Sequence, residues 1–273
     1  MVLKFDTEIV AGVGKSAISL NSRHLDECLA YYYKHKIDIV VISPFMGGYG
    51  GYKPTNIEFL KEHPNIKGLD LPYADCFDLS PILNLNHLKY LRLNESSQAL
   101  DLSVFPLLER ADLWWHRGLT NFKALKHLKV LGLFRFHPKT KDFTEFDSLE
   151  SLEKLHLCQS NITSLRGIER FPDLNFLALR RLLKLCNIEN IRSLTRLEEV
   201  EFEVCKKVNN FSAISDLVKL RHIIAADCGT VKSVAPFLSL PKVETIVLLG
   251  TRIRNEDKKT LEILRKKGVE CVT

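Results

Sequence analysis

The sequence predicts an α/β solenoid, in which short repeats each add one strand to a parallel concave sheet and return along an outer side without long helices. Two observations predict it. The pattern apolar-x-x-apolar-x-apolar occurs nine times, beginning at Ile66, Leu88, Leu108, Leu128, Leu152, Leu174, Leu197, Leu220 and Val243, in steps of 22, 20, 20, 24, 22, 23, 23 and 23. Recurrence at a fixed short period marks units that bury their apolar face only by stacking. Between the strands the apolar residues return every third position, as in Ile162, Leu165, Ile168 and Phe171, or Val208, Phe211, Ile214 and Leu217. Period three is the eclipsed geometry of a 3-10 turn, not of an α-helix.

The flanks read as caps. Residues 1–65 lack the repeat and form an N-terminal cap. Leu25, Cys28, Leu29, Tyr32 and Tyr33 share one helical face, on a helix opening near Asn21 or Ser22. A β-branched strand follows at 37–42, readable as a degenerate first repeat. Glycines at 47, 48, 50 and 51 predict a mobile loop over 46–52, and Thr55-x-x-Glu58 predicts a capping box for a short helix that Pro64 ends. The repeats span 66–254, and 255–273 form a C-terminal cap. There Asn255-Glu256-Asp257 opens a helix carrying Leu261, Ile263 and Leu264, and Arg265-Lys266-Lys267-Gly268 closes it. A last strand over 269–272 completes the chain.

Units such as 152–171 resemble the short, 22-residue class of leucine-rich repeat, found in internalin-like proteins and in phosphatase-regulating repeat proteins. The resemblance covers about residues 66–254 and implies a right-handed horseshoe that works by binding other proteins. The chain departs from that class at its asparagine column. Here the column reads Ala74, Ser96, His116, Phe136, Ser160, Leu182, Cys205, Cys228 and Thr251, with no asparagine. A less regular stack is expected, with local twists near Phe136 and Leu182.

Composition narrows the function classes. A net charge of +6, spread over 39 basic and 33 acidic residues, has no clustered basic stripe of the kind nucleic-acid binding requires. No run approaches the ~18 apolar residues of a membrane span. The opening residues carry no basic stretch followed by an apolar run, so the expected compartment is the cytoplasm. The seven cysteines form no CxxC pair and read as packing residues.

Strand alternation places positions 3, 5 and 7 of each unit on the concave face. Tyr90, Arg92, Arg110, Trp114, Phe134 and Phe176 gather there, and aromatic and arginine side chains are the types that dominate binding hot spots. Asp112 and Arg135 flank them; Trp115 is placed either on that surface or at the edge of the core. Glu199, Glu201 and Glu203 line one strand, with Arg180 placed to pair with Glu203 and His222 in the next unit. They form either a solvated charge ladder or an acidic patch selecting a basic partner. Parallel outward carboxylates do not converge on a metal, and no cofactor is expected.

Two candidates for chemistry remain. His156 and Cys158 share a strand face but have no orienting third group at readable spacing, so catalysis is not expected. Gly12-Val13-Gly14-Lys15-Ser16 ends like a phosphate-binding loop, yet Ile9 stands where that loop needs glycine, and residues 17–20 read as the second arm of a hairpin. The expected function is that of a protein-binding module, gripping its partner on the concave face. An immunity-type protein neutralising a toxin and an intracellular scaffold or regulatory subunit are both compatible with that; RNA binding ranks below them.

Overall fold

The computed structural model describes residues 7–10, 14–44, 51–53 and 56–273. Residues 46–50 of the glycine-rich loop, Thr55 of the predicted capping box, and Gly12 and Val13 lie outside them. The chain forms two compact units, Met1–Leu128 and Lys129–Thr273.

The first unit opens with a hairpin, β1 (Thr7–Val10) antiparallel to β2 (Lys15–Ser19). Helix α1 (Leu25–His35) then leads to β3 (Ile39–Val41), which lies parallel to β2. The 3-10 turn preceding α1 is capped by the Asn21 side chain, which accepts the Arg23 N–H at 2.9 Å. Cys28, Leu29 and Tyr32 are buried, but Tyr33 is exposed and its hydroxyl meets His63 Nδ1 at 3.3 Å, so the apolar face is narrower than its spacing suggests. Strands β4 (Gly68–Leu71), β5 (Tyr90–Leu93) and β7 (Arg110–Trp114) continue in parallel from β3. A two-strand sheet of β6 (Leu100–Asp101) and β8 (Leu119–Thr120) lies in the return segments. Before β4, a 3-10 turn spans Glu58–Glu62 with Ile57 at its N-cap and no side-chain cap. Among the described residues the Glu58 N–H is met by Asn56 Oδ1 at 3.4 Å.

The second unit holds parallel strands β9 (Val130–Phe134), β10 (Lys154–Cys158), β11 (Phe176–Arg180), β12 (Glu199–Glu203), β13 (His222–Ala226) and β14 (Thr245–Val247). Equivalent positions pair without slippage: Lys154 with Phe176, Glu199 with His222, His222 with Thr245. That register aligns Leu155, Leu177, Val200, Ile223 and Ile246 in one buried row. The return segments are 3-10 turns, as the period of three predicts, including Glu189–Ser193, Ser212–Asp216 and Ala235–Ser239. Their phenylalanines interlock with the sheet: Phe202 of β12, Phe211 and Phe237 follow one another at ring separations of 5.6 and 5.9 Å. Phe136, at the missing-asparagine column, is fully buried and stacks on Phe143 at 5.5 Å. Helix α2 (Asn255–Lys266) and β15 (Glu270–Val272) close the unit, β15 pairing with β14. Leu261 and Leu264 of α2 are buried, whereas Ile263 faces solvent. Asp257 anchors the helix by accepting the Val234 N–H at 2.9 Å.

Two devices turn the chain out of most strands. In seven of the nine units the eighth residue adopts the left-handed conformation: Glu95, Arg135, Gln159, Arg181, Val204 and Asp227 have φ between 50 and 56°, and Gly250 has 62°. Its N–H reaches the seventh-position carbonyl of the following unit, from Arg135 to Cys158, Gln159 to Arg180, Arg181 to Glu203, Val204 to Ala226 and Asp227 to Leu249, at 2.8–3.0 Å. The ninth residue points inward and reaches the other way. Cys205 and Cys228 thiols donate to the carbonyls of Leu179 and Phe202 at 3.3 and 3.5 Å, and the Thr251 hydroxyl to Ala225 at 2.6 Å. Thr251 Oγ1 also accepts the Cys228 N–H at 3.0 Å. A thiol and hydroxyl ladder thus does the work expected of asparagine. Burial pushes the Cys205 thiol up to about 12 and raises Cys228 as well, so both remain protonated donors.

Val204 is the strained member of its series, because a β-branched side chain in this region clashes with its own backbone. Val204→Asn, which suits the left-handed region, is expected to raise stability by about 1 kcal/mol, read as a higher denaturant midpoint with unchanged slope. Thr251→Val keeps the shape but strands the Cys228 N–H and Ala225 carbonyl in a buried setting. A loss of roughly 1–3 kcal/mol is expected in the same titration, with Thr251→Ser losing less.

Candidate binding face

Each sheet has one face packed on its return segments and one open face, and the predicted site residues divide between the open faces of the two units.

In the first unit the register runs further toward the N-terminus than the nine-fold pattern shows. Ala17 pairs with Ile39, and Gly68 with Tyr90 and through it Arg110, so these positions share one column. Val41, Asp70, Arg92 and Asp112 form the next. Ala17, Ile39, Val41 and Tyr90 make a small apolar cluster, and Tyr90 is only 2% exposed. Gly68 must stay small because a Cβ there would lie 2.4 Å from the Asp38 carbonyl oxygen. Tyr90 is therefore a core residue, not a contact residue. Burial raises its phenol above the ordinary range, with Asp112 and Asp70 adding to the effect, and its hydroxyl finds no hydrogen-bond partner among the described residues.

Asp70, expected to face outward, is 1% exposed. Arg92 engages it through two nitrogens, Nε lying 2.7 Å from Oδ1 and Nη2 pairing with Oδ2. Arg110 Nε similarly binds Asp112 Oδ2 at 2.8 Å. Both arginines are thus committed to neighbouring carboxylates. Trp114 and Trp115 are each half-buried, Trp114 ending β7 and Trp115 lying just beyond it.

The second unit presents a more available surface. Phe134 ends β9 with 36% of its surface exposed, and Arg135 beside it is also exposed. The Phe176 ring is held in place from β10, by the His156 ring at 4.9 Å and the Lys154 ammonium at 5.8 Å. Arg180 bridges two glutamates, with Nη2 2.5 Å from Glu201 and Nε 3.3 Å from Glu203. Glu199 has no ion-pair partner among the described residues, so the acidic row is neutralised in part only. His222 lies 3.8 Å from Glu244. The following strands are apolar on this face: Ile224, Ala226 and Val247 are partly exposed and Leu249 is 50% exposed, a patch for which the leucine pattern gives no hint. The signal for it lay in columns 5 and 7 of the last two units, where solvated strands would carry polar residues.

The Cys158 thiol is raised by burial, against the pull of Arg181 and Arg180, so it is not the activated thiolate that nucleophilic chemistry needs. Among the described residues no three metal-ligating side chains converge, and no helix is long and apolar enough to cross a membrane.

No family model and no curated protein sequence matches the chain. Solved structures do. The internalin inlF of Listeria monocytogenes aligns with a TM-score of 0.54 at 15% identity, covering 96% of this chain and 84% of its own. TLR13, in its complex with ssRNA13, aligns with a TM-score of 0.56 at 20% identity over 84% of this chain, which spans about a third of that structure's length (34%). The chain therefore has the leucine-rich-repeat fold.

Arg92→Ala removes the partner of a buried carboxylate. It is expected to cost about 2–3 kcal/mol, below the full value for a buried pair because Arg92 is itself partly solvated. Asp70→Asn combined with Arg92→Ala should recover part of the loss in a double-mutant cycle.

Proposed function

We propose that the chain is a protein-interaction module whose binding face is the open sheet of the second unit. The observation that carries this reading is the combination on one rigid surface of exposed Phe134 and Leu249, the braced Phe176 ring, and the Glu199, Glu201 and Glu203 row. Solvated aromatics and leucines on regular strands cost free energy unless a partner covers them. Held in place by strand register and by neighbouring rings, they lose little side-chain entropy on docking. The partly neutralised glutamates favour a partner with a basic rim. The first unit contributes less, since Tyr90 is buried and Arg92 and Arg110 are engaged. Toxin neutralisation by an immunity-type protein and scaffolding in the cytoplasm both use such a surface; a gene neighbour encoding a toxin supports the first and co-purification with a phosphatase the second.

RNA binding is the second reading, prompted by the single-stranded RNA in the TLR13 structure. The acidic row and the carboxylate-paired arginines count against it, and it requires an affinity that falls steeply with salt.

The test is purification of the partner from the native host with Phe134→Asp and Leu249→Asp. Each is expected to weaken the partner's binding roughly tenfold or more, as loss of an interface anchor does, with circular dichroism unchanged. Undiminished binding by both variants places the interface elsewhere.

A further inference from the structure

At the edge of the first unit where its strands begin, a cleft of about 330 Å³ is lined by four lysines, Lys15, Lys36, Lys67 and Lys89. They come from separate elements that the parallel register draws together: Lys15 starts β2, Lys36 follows α1, and Lys67 and Lys89 precede β4 and β5. Lys89 is engaged with Glu109 at 2.6 Å. The other three have no ion-pair partner among the described residues. The carboxylate in the cleft wall, Asp38, already accepts the Ser16 N–H and hydroxyl at 3.0 and 2.8 Å. Asp38 keeps its charge, so against Asp38 and Glu109 the four lysines leave a formal excess of two positive charges.

The rest of the wall suits a ligand with more than charge. Tyr32 is buried, and its hydroxyl accepts the Lys67 N–H at 3.2 Å while keeping its own proton to donate. Tyr33, 41% exposed, stacks on His63 at 5.9 Å, which fixes its ring at the cleft wall and leaves part of it open to a ligand. Lysine ammoniums are compact, adjustable point charges, and several converging on one cleft match the multiple charged oxygens of a phosphate. The volume is at the lower end of small-molecule sites. We infer that this lysine-lined cleft binds a small phosphorylated ligand carrying two or more negative charges. Lys15 belongs to the Gly-Lys-Ser sequence that resembles the end of a phosphate-binding loop, but it stands at the start of a strand. It acts here through its side chain, with three partners from other elements.

The test is calorimetric titration of the full chain at low ionic strength with pyrophosphate and with ADP. Lys15→Glu with Lys67→Glu is expected to weaken both at least about tenfold. Lys258→Glu with Lys259→Glu, the same charge change on the exposed side of α2, should leave them within about twofold. ADP binding tighter than pyrophosphate, with the advantage removed by Tyr33→Ala, assigns a ring-bearing phosphate ester. Equal affinities assign the phosphate group alone. Absence of saturable binding of either ligand at about 1 mM, or equal weakening by both charge-reversed proteins, overturns the inference.

Discussion

In the second unit the stack depends on a pair of opposed ties at the point where the chain leaves each strand. A left-handed residue aims its N–H forward, to a carbonyl of the next unit. The residue after it turns its side chain inward, and in the last units reaches back to a carbonyl of the preceding one. Between them they satisfy polar backbone that would otherwise be buried without partners, the condition a sheet packed on one face must meet. The strict register, the rows of buried leucine and the phenylalanines of the return segments all presuppose that turn. So does the open face, because a slip of one residue would exchange its side chains with those of the core.

The leucine pattern made the repeating architecture legible because a buried strand position tolerates few side chains, and nine such positions in step are compatible with few folds besides a solenoid. The missing asparagines misled in one respect. Cys205, Cys228 and Thr251 are chemically unlike asparagine but carry the same needed feature, a donor short enough to reach a carbonyl from inside the turn. Side-chain type alone does not show that equivalence; geometry does.

The candidate face was legible in part. Alternation assigns Phe134, Phe176 and the glutamates to the open side, and there the rule works because nothing in the second unit's register contradicts it. It fails at Tyr90 and Asp70, since alternation says which face a residue takes but not what lies beside it on that face. The clue was the unbroken apolar run from Ile39 to Ile42. A strand solvated on one side alternates, whereas a continuous run marks burial on both faces. That strand and Ala17 extend the sheet past the first recognisable repeat and give Tyr90 apolar neighbours, and the glycine in its column lets Asp38 and Ile39 approach closely. The lysine cleft was not legible, because its members lie far apart in sequence and meet only where strand beginnings align.

The forward tie has a temporal consequence. Because each eighth-position N–H waits for a carbonyl some 22 residues later in the chain, a unit emerging from the ribosome is held by its predecessor before its own outgoing bond can close. The bonding order of the second unit thus runs in the direction of synthesis, each unit completing the segment ahead of it. At the last units Asp257 fastens α2 to the Val234 N–H, and β15 takes the place of a further repeat strand beside β14.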